Sequence, residues 1–307
     1  MERLDAEIPS HGETLAAWLF LPERARYGKG PHPLVIMAHG LGGVRHLRLP
    51  QVAERFTAEG YACLAFDYRY FGDSSGQPRQ VLSIPAQLAD WESALAWAKQ
   101  RAEVDPARLV LWGTSLSGGY VTSLAARHPE LAGVIAQCPA TSGISDGVKK
   151  RSAGQILRYA RAGLEDLLRG ALGLAPRYVP IFGKDRELAL LTSANAEKGY
   201  QSILKLMPEE ADWRQYVGAR FVIHLLLYHP IKKASHIRVP LLVMVCDGDQ
   251  DVDPSQGHRL ARLAGGKSVG LPIEHFEIYT PPHFDAVMDH ELAFLREHVP
   301  VGEAASA

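Results

Sequence analysis

Gly113-Thr114-Ser115-Leu116-Ser117-Gly118-Gly119 decides how this chain is read. It follows the apolar run Leu109-Val110-Leu111-Trp112 and leads into a segment of helical character at 120–127. Strand, sharp turn and helix with a serine at the apex is the arrangement of a nucleophile elbow. There the backbone is strained, and the residues two places to either side of the serine must be small. Gly113 and Ser117 meet that demand, although serine replaces the usual glycine at the second place. If Ser115 is not the nucleophile, Ser117 is the next candidate.

Around this elbow the chain alternates. Short, nearly uninterrupted apolar runs occur at 34–38, 62–66, 109–112, 134–136 and 241–245, as strands buried on both faces require. Helical patterns at 49–59, 84–101 and 118–128 separate them. Strand alternating with helix implies a parallel sheet with helices on both faces, and functional groups gather beyond the strands' carboxyl ends. Segments 4–8 and 15–21, flanking Ser10-His11-Gly12-Glu13, predict an opening antiparallel hairpin. The interval 141–235 carries no core-strand run and is expected to be an inserted helical cap, leaving 1–140 and 236–307 as the two parts of the core. In its first half, 148–172, Ile156, Leu157, Ala160, Leu164, Leu167 and Leu168 fall at helical spacing. Lys149, Lys150, Arg151, Arg158 and Arg161 lie on or around the other positions and are read as a solvated face. A second helix is expected over 213–228, bearing Val217, Phe221, Leu225 and Tyr228. The small-residue tail, 302–307, is the only low-complexity stretch.

Composition narrows the function classes. Of 307 residues, 47% are hydrophobic, and 33 Lys plus Arg nearly cancel 34 Asp plus Glu. No global field then recruits nucleic acid or an anionic membrane, and a small-molecule partner is expected. Cys63, Cys138 and Cys246 sit in or beside apolar runs and read as buried hydrophobes, which fits a reducing cytoplasm. The acidic first residues do not resemble a secretory leader, and no apolar run is long enough to insert in a membrane.

A serine hydroxyl needs a base within hydrogen-bond reach and a third group to fix the base's tautomer. After the run 241–245 comes Cys246-Asp247-Gly248-Asp249-Gln250-Asp251-Val252-Asp253, and after Phe276-Glu277-Ile278-Tyr279 comes Thr280-Pro281-Pro282-His283. Asp249 is the first carboxylate clear of its strand and is taken as the acid, with Asp251 left open. With 276–279 read as a strand, His283 follows its carboxyl end and is taken as the base. His275 precedes that run and is set aside. His39-Gly40-Leu41-Gly42-Gly43 follows the run 34–38, and its glycines allow backbone amides to turn inward as an oxyanion trap. The Leu41 amide is paired for this purpose with that of Leu116. The glycines also sketch a dinucleotide loop, but its third glycine would fall at Arg45 and is missing. The alternating aspartates do not make a calcium loop, which would need glycine at Val252 and glutamate at His258. Neither cofactor nor metal is expected.

These residues resemble the α/β-hydrolase superfamily over nearly the whole chain: His39-Gly40-Leu41-Gly42, the segment from Phe66 to Ser74, the elbow at Ser115, the loop at Asp249 and Pro282-His283-Phe284-Asp285. Within it, the elbow and Pro176-Arg177-Tyr178-Val179-Pro180 are similar to capped bacterial serine hydrolases near the dienelactone-hydrolase and X-prolyl-peptidase-like groups. The resemblance implies an eight-stranded, mostly parallel sheet with a helical cap between its sixth and seventh strands. It also implies that Asp67 and Arg69 pin loops beside the pocket. The activity expected is hydrolysis of a carboxylic ester, thioester or lactone through an acyl-enzyme on Ser115. C–C bond hydrolysis or a biosynthetic tailoring reaction is the alternative, and a noncatalytic ligand-binding protein is the remaining reading. A homodimer is left open; residues 221–228 would pair the caps if they were exposed.

Overall fold

The apolar runs become strands for the reason their composition suggests: every residue of His32–Ala38, Ala62–Phe66, Gly133–Gln137 and Leu241–Cys246 is buried. In a strand, only cover on both faces of the sheet does this to consecutive residues, because side chains alternate across it. The computed structural model describes residues 1–148, 151–184 and 187–302. In chain order it runs β1 (Glu2–Ser10), β2 (Glu13–Leu21), α1 (Arg24–Tyr27), β3 (His32–Ala38), α2 (Leu49–Thr57), β4 (Ala62–Phe66), α3 (Ile84–Ala98), β5 (Val104–Thr114), α4 (Leu116–Ala125) and β6 (Gly133–Gln137). After an interval come β9 (Leu241–Cys246), α8 (Pro254–Ala264), β10 (Lys267–Leu271) and α9 (His283–His298). The interval itself holds α5 (Ala153–Ala171), β7 (Tyr178–Pro180), α6 (Ala196–Leu204), β8 (Tyr216–Gly218) and α7 (Phe221–Leu226).

The eight-stranded sheet has the order β1-β2-β4-β3-β5-β6-β9-β10. The opening hairpin is antiparallel and joins β4 antiparallel, while every later pairing is parallel. This is the α/β-hydrolase arrangement. Parallel crossovers put the ends of β3, β5, β6, β9 and β10 on one edge, so the loops after them meet there.

Two sequence expectations change. The eighth strand is Lys267–Leu271, not 276–279; Glu277–Tyr279 is a 3-10 turn with Ile278 and Tyr279 buried. As an edge strand with mostly exposed or half-exposed positions, β10 has no continuous apolar signal, whereas the turn imitates one because it packs inward. The expected helix over 213–228 is also shorter. Tyr216–Gly218 pairs with Tyr178–Pro180 as a small antiparallel ribbon, and helix begins only at Phe221.

The interval lies between the sixth and seventh strands of the main sheet. At its centre the buried Asp166 carboxylate accepts hydrogen bonds from the Arg177 amide, the Arg220 amide and the Arg220 Nε, each at 2.8 Å, tying α5 to the segments carrying β7 and α7. A buried carboxylate holds its place when paired and fully bonded in this way. Lys149, Lys150 and the tail beyond residue 302 lie outside the described residues.

Candidate active site

Ser115 sits between β5 and α4 with φ at +56°, a region that a residue with a side chain occupies only under constraint. The constraint is visible on both sides. Its amide donates to the Gln137 carbonyl at 2.8 Å, and its carbonyl accepts from the Ala140 amide at 2.9 Å. A Cβ on Gly113 would come within 2.3 Å of the Ser117 carbonyl oxygen, so β5 and α4 close on each other only with glycine there. Ser117, where glycine is usual, is fully buried and has a different job. Trp91 Nε1 donates to the Tyr68 hydroxyl at 2.8 Å, which bonds Ser117 Oγ at 2.5 Å, and Ser117 Oγ donates to the His39 carbonyl. This chain straps the elbow to the loop after β3, and it removes Ser117 as a nucleophile.

The histidine that meets Ser115 is His275. Its Nε2 lies 3.1 Å from Ser115 Oγ and its Nδ1 lies 2.5 Å from Asp249 Oδ2, so that in the neutral tautomer with its proton on Nδ1 the Nε2 atom can accept from the hydroxyl. His283 is not brought to the site. It is the first residue of α9, partly exposed, and the positions it would occupy against Ser115 and Asp249 are filled by His275. The exclusion of His275 rested on the wrong strand: with β10 ending at Leu271, residue 275 lies just beyond a carboxyl end. A backbone link sets this register, since the Asp247 amide donates to Leu271 O at 2.7 Å and Gly248 to Ile273 O at 3.0 Å. A polar edge strand before Glu274-His275-Phe276 was the signal available in the sequence.

The four alternating aspartates have four separate tasks. Asp247 bonds His258 Nε2 at 2.8 Å, and Asp251 accepts from Ser193 Oγ at 3.1 Å. Asp253 caps the N-terminus of α8 by accepting from the Ser255 amide at 3.1 Å. Asp249 alone among them reaches His275. Its other oxygen accepts the amides of Asp251 and Val252, each at 2.8 Å, so the carboxylate is buried yet fully bonded.

Electrostatics follow from this geometry. Burial disfavours a charged His275, but the charge and hydrogen bond of the adjoining Asp249 carboxylate, with smaller contributions from Cys138 and Asp251, together raise the imidazole above its ordinary pKa, to about 10. His39 shows the opposite case: buried without a carboxylate, bonded to the Leu47 carbonyl, it is pushed down to about 3 and is a neutral structural group. Asp67 and Arg69 pin loops. Asp67 holds the Arg45 amide at 2.6 Å, and Arg69 Nε donates to Asp90 at 2.7 Å.

Leu41 and Leu116 both border the cavity that contains Ser115. Leu116 is the first residue of α4, whose amide has no acceptor within the helix. Among the described residues the Leu41 amide has no acceptor either, while its carbonyl is held by Tyr200 Oη at 3.3 Å. A Cβ on Gly40 would stand 2.7 Å from Ser115 Cβ, so glycine lets this loop lie against the elbow. The cavity, about 260 Å³, runs from Ser115 under the interval between Ile156, Tyr159 and Ala160 of α5 and Phe221, Val222 and Leu225 of α7. A second space of about 30 Å³ borders Ser115, His275, Gly40 and Leu41. Among the described residues no cluster of metal-ligating side chains occurs, and no helix is long and apolar enough to cross a membrane.

Comparison with known proteins identifies the family. The chain is 41% identical to the quorum-quenching protein AidA of Acinetobacter baumannii, over 97% of this chain and 96% of that protein. It is 25% identical to the thiohydrolase aneE of Aspergillus aculeatus, over 91% and 90%. Among solved structures, the α/β hydrolase GrgF from a Penicillium species superposes with a TM-score of 0.82 at 20% identity, over 97% and 99% of the two chains. The family model described as serine aminopeptidase, S33, matches residues 29–273, so this chain belongs to that family of α/β hydrolases.

Proposed function

We propose that this protein is a serine hydrolase that cleaves a carboxylic ester, thioester or lactone carrying an apolar acyl group. Ser115 Oγ attacks the acyl carbon as His275 Nε2 takes its proton. Asp249 fixes the tautomer that leaves Nε2 free and stabilises the imidazolium. The Leu41 and Leu116 amides receive the oxyanion, a contribution on the order of 10²–10³ in rate per donor. His275 then returns its proton to the departing alcohol, thiol or ring oxygen, activates a water, and the acid is released.

One observation carries this reading: an unbroken Ser115–His275–Asp249 relay meets, at Ser115, a mostly apolar cavity whose lining also includes Asp146, Arg151 and Asp251. Its volume, about 260 Å³, exceeds the roughly 150 Å³ that accepts benzene in a protein core, so there is room for an extended acyl chain. The smaller space beside Ser115 and His275 is wide enough for one water and favours hydrolysis over transfer to a second substrate. The names of the relatives lean the same way, with quorum quenching and thiohydrolysis both represented. A biosynthetic acyl-transfer reaction is the second reading, because the polyketide transferase ATR5 of Stachybotrys chlorohalonatus is 26% identical over 84% of each chain.

The test is labelling by a fluorophosphonate probe together with turnover of p-nitrophenyl esters, acyl thioesters and acylated lactones of graded chain length. Labelling and turnover that both disappear in Ser115→Ala support the reading. Labelling without turnover of any member of the panel, rescued by an added alcohol or thiol acceptor, would replace hydrolysis by transfer.

A further inference from the structure

Helix α5 is apolar on two sides, and among the described residues only one of them is covered. Tyr159, Ala162 and Gly163 are buried toward the molecule, and Ile156, Tyr159 and Ala160 line the cavity. The opposite side exposes Leu157 by 71%, Leu164 by 54%, Leu168 by 66% and Leu172 by 73%. The sequence reading placed Leu157, Leu164 and Leu168 on the apolar face with Ile156 and Ala160; the structure turns them outward. Such a stripe of leucines in water is unusual on a protein that acts alone. In the segment 221–228, expected to pair the caps if exposed, Phe221 and Tyr228 are buried and Leu227 alone is strongly exposed, by 79%.

We propose that this stripe is a homodimer seam, in which α5 of one copy packs antiparallel against α5 of a second copy. Leu157, Arg161, Leu164, Leu168 and Ala171 recur at alternating steps of four and three, the spacing of a helix–helix seam. Put a two-fold axis between residues 162 and 163. Leu157 then meets Leu168 of the second copy, Arg161 meets Leu164, and both layers repeat by symmetry. The single polar layer at Arg161 selects this register, as one polar seam residue does in coiled coils, while its stem packs and its head reaches water.

Charge supports the same occupant. Arg158 and Glu165 flank the seam on one side, seven residues apart, and in this register Arg158 stands across the axis from Glu165 of the second copy, twice per dimer. Glu165 also bonds Arg177 in its own chain and keeps a half-exposed carboxylate. Arg158, Arg161 and Arg169 on α5 would also suit an anionic lipid surface, but a helix lying on lipid presents a wider apolar arc than this narrow stripe. Because α5 also roofs the cavity, pairing would brace the wall against which substrate lies.

Sedimentation of the full-length protein over a dilution series provides the test, with folding checked by circular dichroism and Tm. Wild type is expected to be dimeric, Leu164→Glu/Leu168→Glu monomeric, and Arg158→Glu shifted toward monomer. The double reversal Arg158→Glu/Glu165→Arg should regain dimer. A folded wild type that stays monomeric at every concentration overturns the seam, including one that floats with phosphatidylglycerol vesicles, and so does a dimer untouched by the leucine substitutions.

Discussion

The carboxyl edge of the main sheet and the roof over the cavity, which includes α5 and α7, are built on different principles. At the edge, each reactive group is fixed by backbone: Ser115 by Gln137 and Ala140, Asp249 by two amides, and the His275 loop by Gly248. In the roof, the buried Asp166 carboxylate ties α5 to the segments carrying β7 and α7, the Tyr159 hydroxyl donates to the Ala189 carbonyl and main-chain pairing is confined largely to the short β7–β8 ribbon, while a row of leucines on α5 is left facing out. Chemistry needs sub-ångström placement, which main-chain hydrogen bonds supply, while shape selection and assembly need surfaces that side chains alone provide. The edge should therefore lose function in large, all-or-none steps, and the roof in graded ones.

The largest step is expected at the relay. Ser115→Ala and His275→Ala should each lower kcat by about 10⁶, measured on the best ester of the panel, because the two act as a unit. His283→Ala should leave kcat within twofold; a collapse there with activity surviving in His275→Ala would reverse the assignment. Next comes Asp249→Asn, expected to cost about 10⁴ in kcat by imposing the wrong tautomer. The pH profile carries a second readout. The base must be neutral, so kcat/KM should fall as pH drops through the His275 pKa, and Asp249 places that limb above ordinary imidazole. In the asparagine variant the limb should move to lower pH, since the carboxylate that favours imidazolium is gone.

Roof substitutions should act by substrate rather than by rate alone. Ala160→Phe narrows the cavity between α5 and α7 and is expected to reduce kcat/KM for long acyl chains by roughly 10- to 200-fold while sparing the shortest ester. A uniform loss across chain lengths would detach the cavity from the acyl group. The smallest effect should come from Tyr279→Phe. The Tyr279 hydroxyl bonds Thr114 Oγ1 at 2.5 Å, joining the turn after His275 to the residue before Ser115. Its loss should cost about 1 kcal/mol of stability and a few-fold in kcat, with KM unchanged.

Legibility in the sequence followed burial. Strands β3, β4, β6 and β9 were readable because a doubly covered sheet demands consecutive apolar residues, and the elbow because its strained turn demands small neighbours. The edge strand β10 was not, since a strand with one neighbour tolerates Lys267, Ser268 and Gly270, and that gap pointed to His283 instead of the histidine that meets Ser115 and Asp249. Helix α5 was read with its leucines inward, for periodicity counts apolar positions without saying which of two apolar sides is covered.

The amino-acid order by itself determined the superfamily architecture, the serine at the turn and a carboxylate after the seventh strand of the main sheet, because local sterics and continuous burial write themselves into adjacent residues. Which histidine closes the relay, what Ser117 is for and which way α5 faces were decided only by the tertiary structure. Those depend on contacts between segments far apart in the chain, and pairing across such distances leaves no periodic mark.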